Sequence, residues 1–162
     1  WGMAFDAQER LYVADWRNDR IQVFSRDGQF LNSIGSSGSS EGELSRPSSV
    51  AIDSRGDVYV ADWGNERVQV FDDQGTFKYT LRGEATLSQW AIEFFESNPD
   101  EMEQREISEL LPEIPDHLNS PHHVSSQTES FFWGPVSVVI DQNDLLYVVE
   151  SNRHRIQVYE IR

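Results

Sequence analysis

The sequence contains no cysteine, no long apolar run and few basic residues, and each absence excludes a class of protein. Without cysteine there are no disulfides and no thiolate metal sites, but the absence of cysteine does not determine the cellular compartment. No apolar run approaches the roughly 18 residues that a membrane span needs. With 13 basic against 28 acidic residues the net charge is −15, which disfavours phosphate backbones, so we expect no nucleic-acid partner.

Motifs of several enzyme classes are missing as well. The sequence has no Gly-x-Ser-x-Gly nucleophile turn and no His-Glu-x-x-His metal motif. Gly35–Gly42 is rich in glycine and serine, but it precedes a predicted strand and lacks lysine, which favours a flexible connection over a phosphate loop. The sequence shows no signal-like segment, so the localisation stays unknown, and an export signal would have to precede Trp1.

What the sequence does contain is an internal repeat. Residues 2–35 align without gaps on residues 49–82, and 14 of these 34 positions are identical. The densest match joins Tyr12–Phe24 to Tyr59–Phe71, and a third copy covers Val136–Tyr159. The copies are spaced by 47 and then by 88 residues, so the second interval contains an insertion or an eroded repeat.

Each copy divides into short strands, here called a to d, separated by turn residues. In the second copy these strands are predicted at Val50–Asp53, Val58–Ala61, Arg67–Phe71 and Phe77–Leu81. Tight turns join them into an antiparallel meander, and both faces of strand b carry apolar side chains. A small sheet that is apolar on both faces must be covered on both sides, as a propeller blade is by its neighbours.

The pattern Tyr-Val-Ala-Asp-x-x-Asn-x-Arg-(Ile/Val)-Gln-Val-Phe resembles the NHL repeat, and the third copy departs from it at Glu150, Ser151 and Arg153. The resemblance covers about two thirds of the chain. It implies an all-β protein, a β-propeller of the bacterial six-bladed type made of four-stranded antiparallel meanders. Relatives include RNA-binding and partner-binding domains of ubiquitin ligases, bacterial sensor domains and a metal-dependent amidating lyase.

Only about three blades are present, and closed propellers have roughly four to eight. We predict two NHL-type blades at 1–83, a helical insertion at 84–134 and a third, incomplete blade at 135–162. The third copy lacks strand d, which gives eleven strands in sheets of four, four and three. The chain is therefore interpreted as the C-terminal half of a longer propeller, completed by missing upstream blades; the alternative is a homodimer that completes the ring.

The insertion is acidic, with eleven of the acidic residues against Arg105 alone. A capping box at Thr86 and Gln89 predicts a helix with one apolar stripe, formed by Leu87, Trp90, Ala91, Phe94 and Phe95. A second helix is predicted from Asp100 to Leu111, followed by irregular structure from Pro112 to Pro135. The stripe packs on the propeller rim in one interpretation, and forms a lid or docking surface in the other.

Antiparallel strands place the b–c turns and the d-to-a connections on one face, so the binding candidates are expected there. Asp15 and Asp62, with Arg20, Arg67 and Arg155, repeat in equivalent positions and are interpreted as structural pairs. The candidates for contact with a ligand or partner are the less regular turn and insertion residues: Trp16, Arg17, Trp63, Glu150, Asn152, Arg153, His154, Phe132 and Trp133.

The sequence favours a non-enzymatic scaffold that binds a protein, a peptide or a small ligand, and no cofactor is expected. The alternative is a metal-dependent lyase or a lactonase-type hydrolase with zinc or calcium in the axial channel. Its ligands would come from His122, His123 and His154, with Glu150 or Glu129. Adjacent histidines have no recognised ligand spacing, so the metal site is the weaker hypothesis.

Overall fold

The computed structural model describes residues 1–108 and 114–161. Within them, eleven strands form three antiparallel sheets, which are the blades. Blade 1 has strands β1 (Met3–Phe5), β2 (Leu11–Asp15), β3 (Arg20–Phe24) and β4 (Phe30–Ile34). Blade 2 has β7 (Pro47–Ile52), β8 (Val58–Asp62), β9 (Arg67–Phe71) and β10 (Phe77–Leu81). Blade 3 has β11 (Pro135–Ile140), β12 (Leu145–Glu150) and β13 (Arg155–Glu160). The prediction of four, four and three strands is confirmed for the described residues.

The segment that joins blade 1 to blade 2 has structure of its own. Within it, β5 (Ser36–Ser37) pairs in parallel with β6 (Glu43–Leu44), a pairing that the sequence did not predict. We call a segment that leads from the last strand of one blade to the first strand of the next a crossing segment. The crossing segment before blade 2 is Gly35–Arg46, and the insertion lies in the one before blade 3.

Turn aspartates shape the meanders. Asp6, Asp53 and Asp141 end the first strand of each blade, and each accepts hydrogen bonds from the backbone amides two and four residues ahead. Such Asx turns replace the ladder hydrogen bonds that a reversing chain loses. Each b–c turn is a short 3-10 helix in blades 1 and 2, Trp16–Asn18 and Trp63–Asn65.

The core consists of two layers, one between each pair of neighbouring blades. In β8, Val58 and Val60 point towards blade 1, whereas Tyr59 and Ala61 belong to the layer shared with blade 3. All four are fully buried, because strand residues alternate between the two faces of a sheet. The two-sided burial expected of a propeller blade is therefore confirmed for blade 2.

The outer blades each leave one face open. On blade 3, Val139, Ile156 and Val158 are more than half exposed. On blade 1, Met3 and Phe5 are exposed in the same way. The equivalent residues of blade 2 are covered by a neighbouring blade. The exposure of these apolar side chains therefore results from the lack of a neighbouring blade on that face in this structure.

In its described residues the insertion contains three short α-helices, α1 (Gln89–Ser97), α2 (Pro99–Ile107) and α3 (Pro121–Gln127), and a 3-10 helix at Asp116–Leu118. Ser88, not Thr86, caps α1 by accepting a hydrogen bond from the Ala91 amide, so the predicted capping box is wrong. The helix α3 was also missed, since irregular structure was predicted there. The predicted end of the second helix at Leu111 lies outside the described residues.

The apolar stripe of α1 does not pack on the propeller rim. No residue of α1 or α2 is buried, and the Trp90 side chain is 74% exposed. The two helices pack mainly on each other, with Phe95 and Met102 lining a shallow groove between them. The interpretation of the stripe as a buried cap is therefore wrong. In the described part of the chain, no helix has the length and hydropathy to cross a membrane.

Candidate functional site

The repeated acidic and basic residues form one ion pair in each blade, across the b–c turn. The distance between the arginine Nε and the carboxylate oxygen is 3.0 Å for Arg20 and Asp15 and 2.7 Å for Arg67 and Asp62. In blade 3 Arg155 makes the same contact at 2.5 Å, to a glutamate. The pairs sit opposite each other in the strand register, so the prediction that they are structural is confirmed.

In blades 2 and 3 these pairs also bind the preceding crossing segment through its backbone. In blade 2 the Arg67 guanidinium donates to the carbonyls of Ser40 at 2.9 Å and Glu43 at 2.8 Å. The Asp62 carboxylate accepts the amide of Ser45 at 2.7 Å. Gln69, two residues beyond the arginine, accepts the Gly42 amide at 3.0 Å. We call the acid, the arginine and the glutamine of one blade its polar clamp.

The pKa values of the two aspartates in the equivalent clamps of blades 1 and 2 shift in opposite directions. Burial raises the pKa of Asp62, and this outweighs the hydrogen bonds from Ser45, Asn65 and Arg67 that lower it. Burial also raises the pKa of Asp15, but the hydrogen bonds from Asn18, Arg20 and Gln22 together outweigh this effect, so the pKa of Asp15 is lowered. The difference follows from the crossing segment, which covers one clamp and not the other.

Three indoles stack on the face that carries the b–c turns. The rings of Trp1 and Trp16 are parallel within 7° with centroids 4.2 Å apart, and Trp63 continues the row at 5.0 Å. Trp1 is 76% exposed, and the other two are partly buried by each other. Offset and tilted stacking of this kind is favourable for indoles and leaves an outer ring face open to a ligand.

In blades 1 and 2 an acidic residue just after the b–c turn accepts a hydrogen bond from a backbone amide just before the next blade. Asp19 accepts the Arg46 amide at 2.7 Å, and Glu66 accepts the Gly134 amide at 2.5 Å. Both have positive φ, 51° and 54°, and His154 takes the equivalent place in blade 3 with φ 51°. A left-handed backbone is uncommon for residues other than glycine, so its recurrence at this repeat position shows that the three turns share one geometry.

The helix α3 is attached to this face through Glu66. The buried Glu66 carboxylate lies 2.8 Å from Nδ1 of His122, and α3 packs against the Trp63–Asn65 turn. The Arg153 guanidinium lies over the Trp133 ring, 5.5 Å from its centroid. It also donates to backbone carbonyls at the end of α3. The insertion and the turn of blade 3 therefore form one continuous surface.

The predicted contact residues divide into two groups. Phe132 is fully buried in the core between blades 2 and 3, and Glu150 is buried in the clamp of blade 3, where it accepts the Trp133 amide at 2.9 Å. These two residues have no surface to offer a partner in this fold. The other candidates lie on the face with part or all of the side chain accessible: Trp16, Arg17, Trp63, Trp133, Asn152, Arg153 and His154.

The candidate metal ligands are not brought together. In residues 1–108 and 114–161 no group of three or more histidine, cysteine, aspartate or glutamate residues has the geometry to hold a metal ion. His122 instead pairs with Glu66, and neither His123 nor His154 belongs to a group of possible metal ligands with it. Sequence reasoning missed Trp1 and the Glu66–His122 contact; the latter joins residues 56 positions apart, and no repeat pattern indicates it.

Comparison with known proteins agrees with this architecture. The family model for the NHL repeat matches residues 44–71 and 132–159. The chain carries NHL repeats. Each matched range begins in the crossing segment and covers the first three strands of its blade, and blade 1 repeats the sequence pattern of blade 2. Protein brain tumor of Drosophila melanogaster is 39% identical to the chain over 51 residues, which are 32% of this chain and 5% of that protein.

Solved structures show the same fold at low sequence identity. Virginiamycin B lyase from Staphylococcus aureus matches with a TM-score of 0.53 and 14% identity, over 99% of this chain and 41% of that one. A protein of unknown function from Bacteroides thetaiotaomicron matches with a TM-score of 0.58 and 14% identity, over 94% of this chain and 32% of that one. The NHL blades thus form part of a β-propeller, and the chain spans less than half the length of these structures.

Proposed function

We propose that this chain is a propeller scaffold that binds a protein or peptide on the face formed by the b–c turns and the insertion. The observation that carries the proposal is the row of three indoles, Trp1, Trp16 and Trp63, on that face. Large aromatic side chains that are partly held by packing and partly open are the usual anchors of protein interfaces. The row is unlike the repeated ion pairs, because blade 3 has Ser151 at the tryptophan position.

The insertion supports the same face. Its Trp133 ring lies under the Arg153 guanidinium and beside His122, whose tilted ring has its centroid 5.7 Å away. The Arg153 guanidinium is held in place by its hydrogen bonds to the carbonyls of Ser125 and Thr128, so this aromatic cluster needs little ordering when a partner binds. Because α3 packs on the turn that carries Trp63, the second aromatic cluster lies beside the first. A peptide with alternating apolar and polar residues fits such a surface.

Peptide selection tests the proposal. The 162-residue chain is immobilised and random peptides displayed on phage are selected on it, after which the affinities of enriched peptides are measured in solution. We expect Trp63→Ala to weaken binding by about thirtyfold, the effect of losing an interface anchor worth about 2 kcal/mol.

The matched control is Gln142→Ala, since Gln142 is exposed on a turn at the opposite face. It should leave the affinities unchanged, and urea unfolding verifies that both variants are folded. Peptides that bind equally well to wild type, Trp63→Ala and Trp16→Ala would show that the partner face lies elsewhere.

The metal-dependent lyase has less support in this chain. The similar solved structures include a virginiamycin B lyase and a streptogramin B lyase, but sequence identities of 11–14% support a shared fold and not a shared reaction. The described residues offer no three-ligand group, so such a site would need residues beyond these blades. Calorimetric titration with zinc and with calcium tests it directly.

A further inference from the structure

The helices α1 and α2 leave an apolar groove open between them, here called the α1–α2 groove. It has a volume of about 360 Å³, and its apolar lining consists of Leu87, Ile92, Phe95, Pro99 and Met102. Each helix has nine residues and is therefore about 14 Å long, and neither contains a buried residue. An amphipathic helix stabilises a fold by covering its apolar stripe, and these two helices cover each other only in part. The groove therefore has the form of a helical layer that lacks one element.

Acidic side chains lie along the same groove. Glu96 from α1 and Glu103 and Glu106 from α2 line it together with the apolar residues. In the part of the chain that the structure describes, none of these three carboxylates forms an ion pair. The insertion has one arginine and no lysine, and the guanidinium of this Arg105 lies 2.7 Å from Glu129 instead. The insertion thus has no free lysine or arginine to neutralise the acids of its groove.

The charge of the groove selects between occupants. A second copy of this chain would bring the same acids and a net charge of −15, and like charges destabilise such a contact. A segment that carries lysine or arginine beside its apolar residues is attracted by the same carboxylates. Charge complementarity therefore favours a basic segment of another protein.

The walls of the groove favour a helical segment. The backbone groups of α1 and α2 are hydrogen-bonded within each helix, so the groove offers no row of donors and acceptors to an extended strand. A bound helix satisfies its own backbone and presents residues i, i+3, i+4 and i+7 on one side, which is how amphipathic helices occupy apolar grooves. A third helix would cover the apolar residues that α1 and α2 leave open.

We propose that the α1–α2 groove binds a basic amphipathic helix of a partner protein. Its apolar side chains enter the groove, and its lysines or arginines lie beside Glu96, Glu103 and Glu106. The inference does not rest on the proposed partner face, because no residue of the groove belongs to the indole row or to α3.

A fluorescein-labelled peptide of about 14 residues tests the proposal, with the 162-residue chain as receptor and fluorescence anisotropy as the readout. Leucine recurs every three or four residues in this peptide and lysine takes most other positions, so that one face of its helix is apolar. We expect saturable binding at low salt. A scrambled peptide of the same composition, whose leucines do not share a face, should bind at least about tenfold more weakly.

Charge-matched variants of the chain separate the groove from the overall charge. The groove variant combines Glu96→Gln, Glu103→Gln and Glu106→Gln, and should bind the peptide about tenfold more weakly, because the local attraction is lost. The matched control should weaken binding by less than about twofold. It makes the same change in net charge on exposed turns outside the insertion, through Asp27→Asn, Glu41→Gln and Asp73→Asn.

Two substitutions on α1 test the apolar contact. Ile92→Ser removes a side chain that lines the groove, and should weaken binding at least about tenfold. Trp90→Ser removes a larger side chain from the same helix, but this indole is 74% exposed and stacks on Phe94, and neither ring lines the groove. This variant should weaken binding by less than about threefold, and circular dichroism verifies that both variants keep their helices.

Equal losses in the groove variant and in its charge-matched control would overturn the proposal, since the peptide would then respond only to the net charge. Equal affinities for the ordered and the scrambled peptide, or no binding up to about millimolar concentration, would overturn it as well. Dimerisation of the chain in sedimentation that Ile92→Ser abolishes would assign the groove to a second copy instead. Trp63→Ala should leave the affinity for this peptide unchanged, so the result does not depend on the test of the partner face.

Discussion

The polar clamps allow one residue type to be tested in two environments within one molecule. Arg67→Ala removes a guanidinium that holds the fully buried Asp62 and two carbonyls of the crossing segment. Arg20→Ala removes the equivalent guanidinium from Asp15, where 41% of the arginine side chain is exposed to water. The local geometry is the same, so the difference in stability reports the covering segment alone.

The expected magnitudes are far apart. Breaking a buried ion pair leaves an uncompensated charge and costs about 3–5 kcal/mol, whereas an exposed pair contributes about 0–1 kcal/mol. With a urea m-value of about 2 kcal/mol/M, the unfolding midpoint of Arg67→Ala should fall by about 1.5–2.5 M and that of Arg20→Ala by less than about 0.5 M.

Urea unfolding followed by circular dichroism measures both variants under one set of conditions. If Arg67→Ala does not fold, Arg67→Lys replaces it; this variant keeps the charge but loses the planar fork and should lie between the two. Equal midpoints for Arg67→Ala and Arg20→Ala would refute the reasoning, since the crossing segment would then add nothing to the clamp it covers.

Four further predictions use other parts of the molecule. The amides of Leu145 and Asn143 lower the pKa of Asp141, so this carboxylate stabilises the fold above about pH 4 and that contribution is lost on acidification; Asp141→Asn should reduce the fall in urea midpoint between pH 7 and pH 3. Phe132→Ala should destabilise the chain by about 3–5 kcal/mol in the same assay, because the ring is fully buried between blades; a loss below 1 kcal/mol would contradict that packing. Trp90→Ser should change the unfolding free energy by less than about 0.5 kcal/mol, since the ring is mostly exposed, and a larger loss would mean that α1 packs on the blades. RNA oligonucleotides at low salt should not bind the chain, given its net charge of −15, and a salt-dependent fluorescence shift on titration would disprove this.

Features that repeat could be predicted from the sequence, because each copy serves as a control for the others. The three later strands of blade 2 and the pairing of Asp62 with Arg67 follow from residues close together in the chain, whereas the first strand begins at Pro47 and not at the predicted Val50. The contact of Glu66 with His122 joins residues 56 positions apart and has no counterpart in another copy, so no local pattern indicates it.

The insertion was predicted less well for a physical reason. An apolar stripe indicates that a helix buries one face, but not against what, and α1 and α2 shield each other only in part. The helix α3 lacks an apolar period, although Ser120 and Pro121 are a capping residue and a favoured first residue. The burial of Phe132 could have been inferred from its alignment with Leu44.

The polar clamps also bear on how such proteins can be recombined. If the repeat is defined from strand a to strand d, its boundary separates the clamp from the segment that the clamp binds. Arg67 and Asp62 bind the crossing segment that precedes their own blade. A chimera joined just before Pro47 would combine one parent's crossing segment with the other parent's clamp. The exchangeable unit runs instead from Gly35 to Leu81, so grafts and duplications joined directly after strand d should keep every clamp with its native occupant.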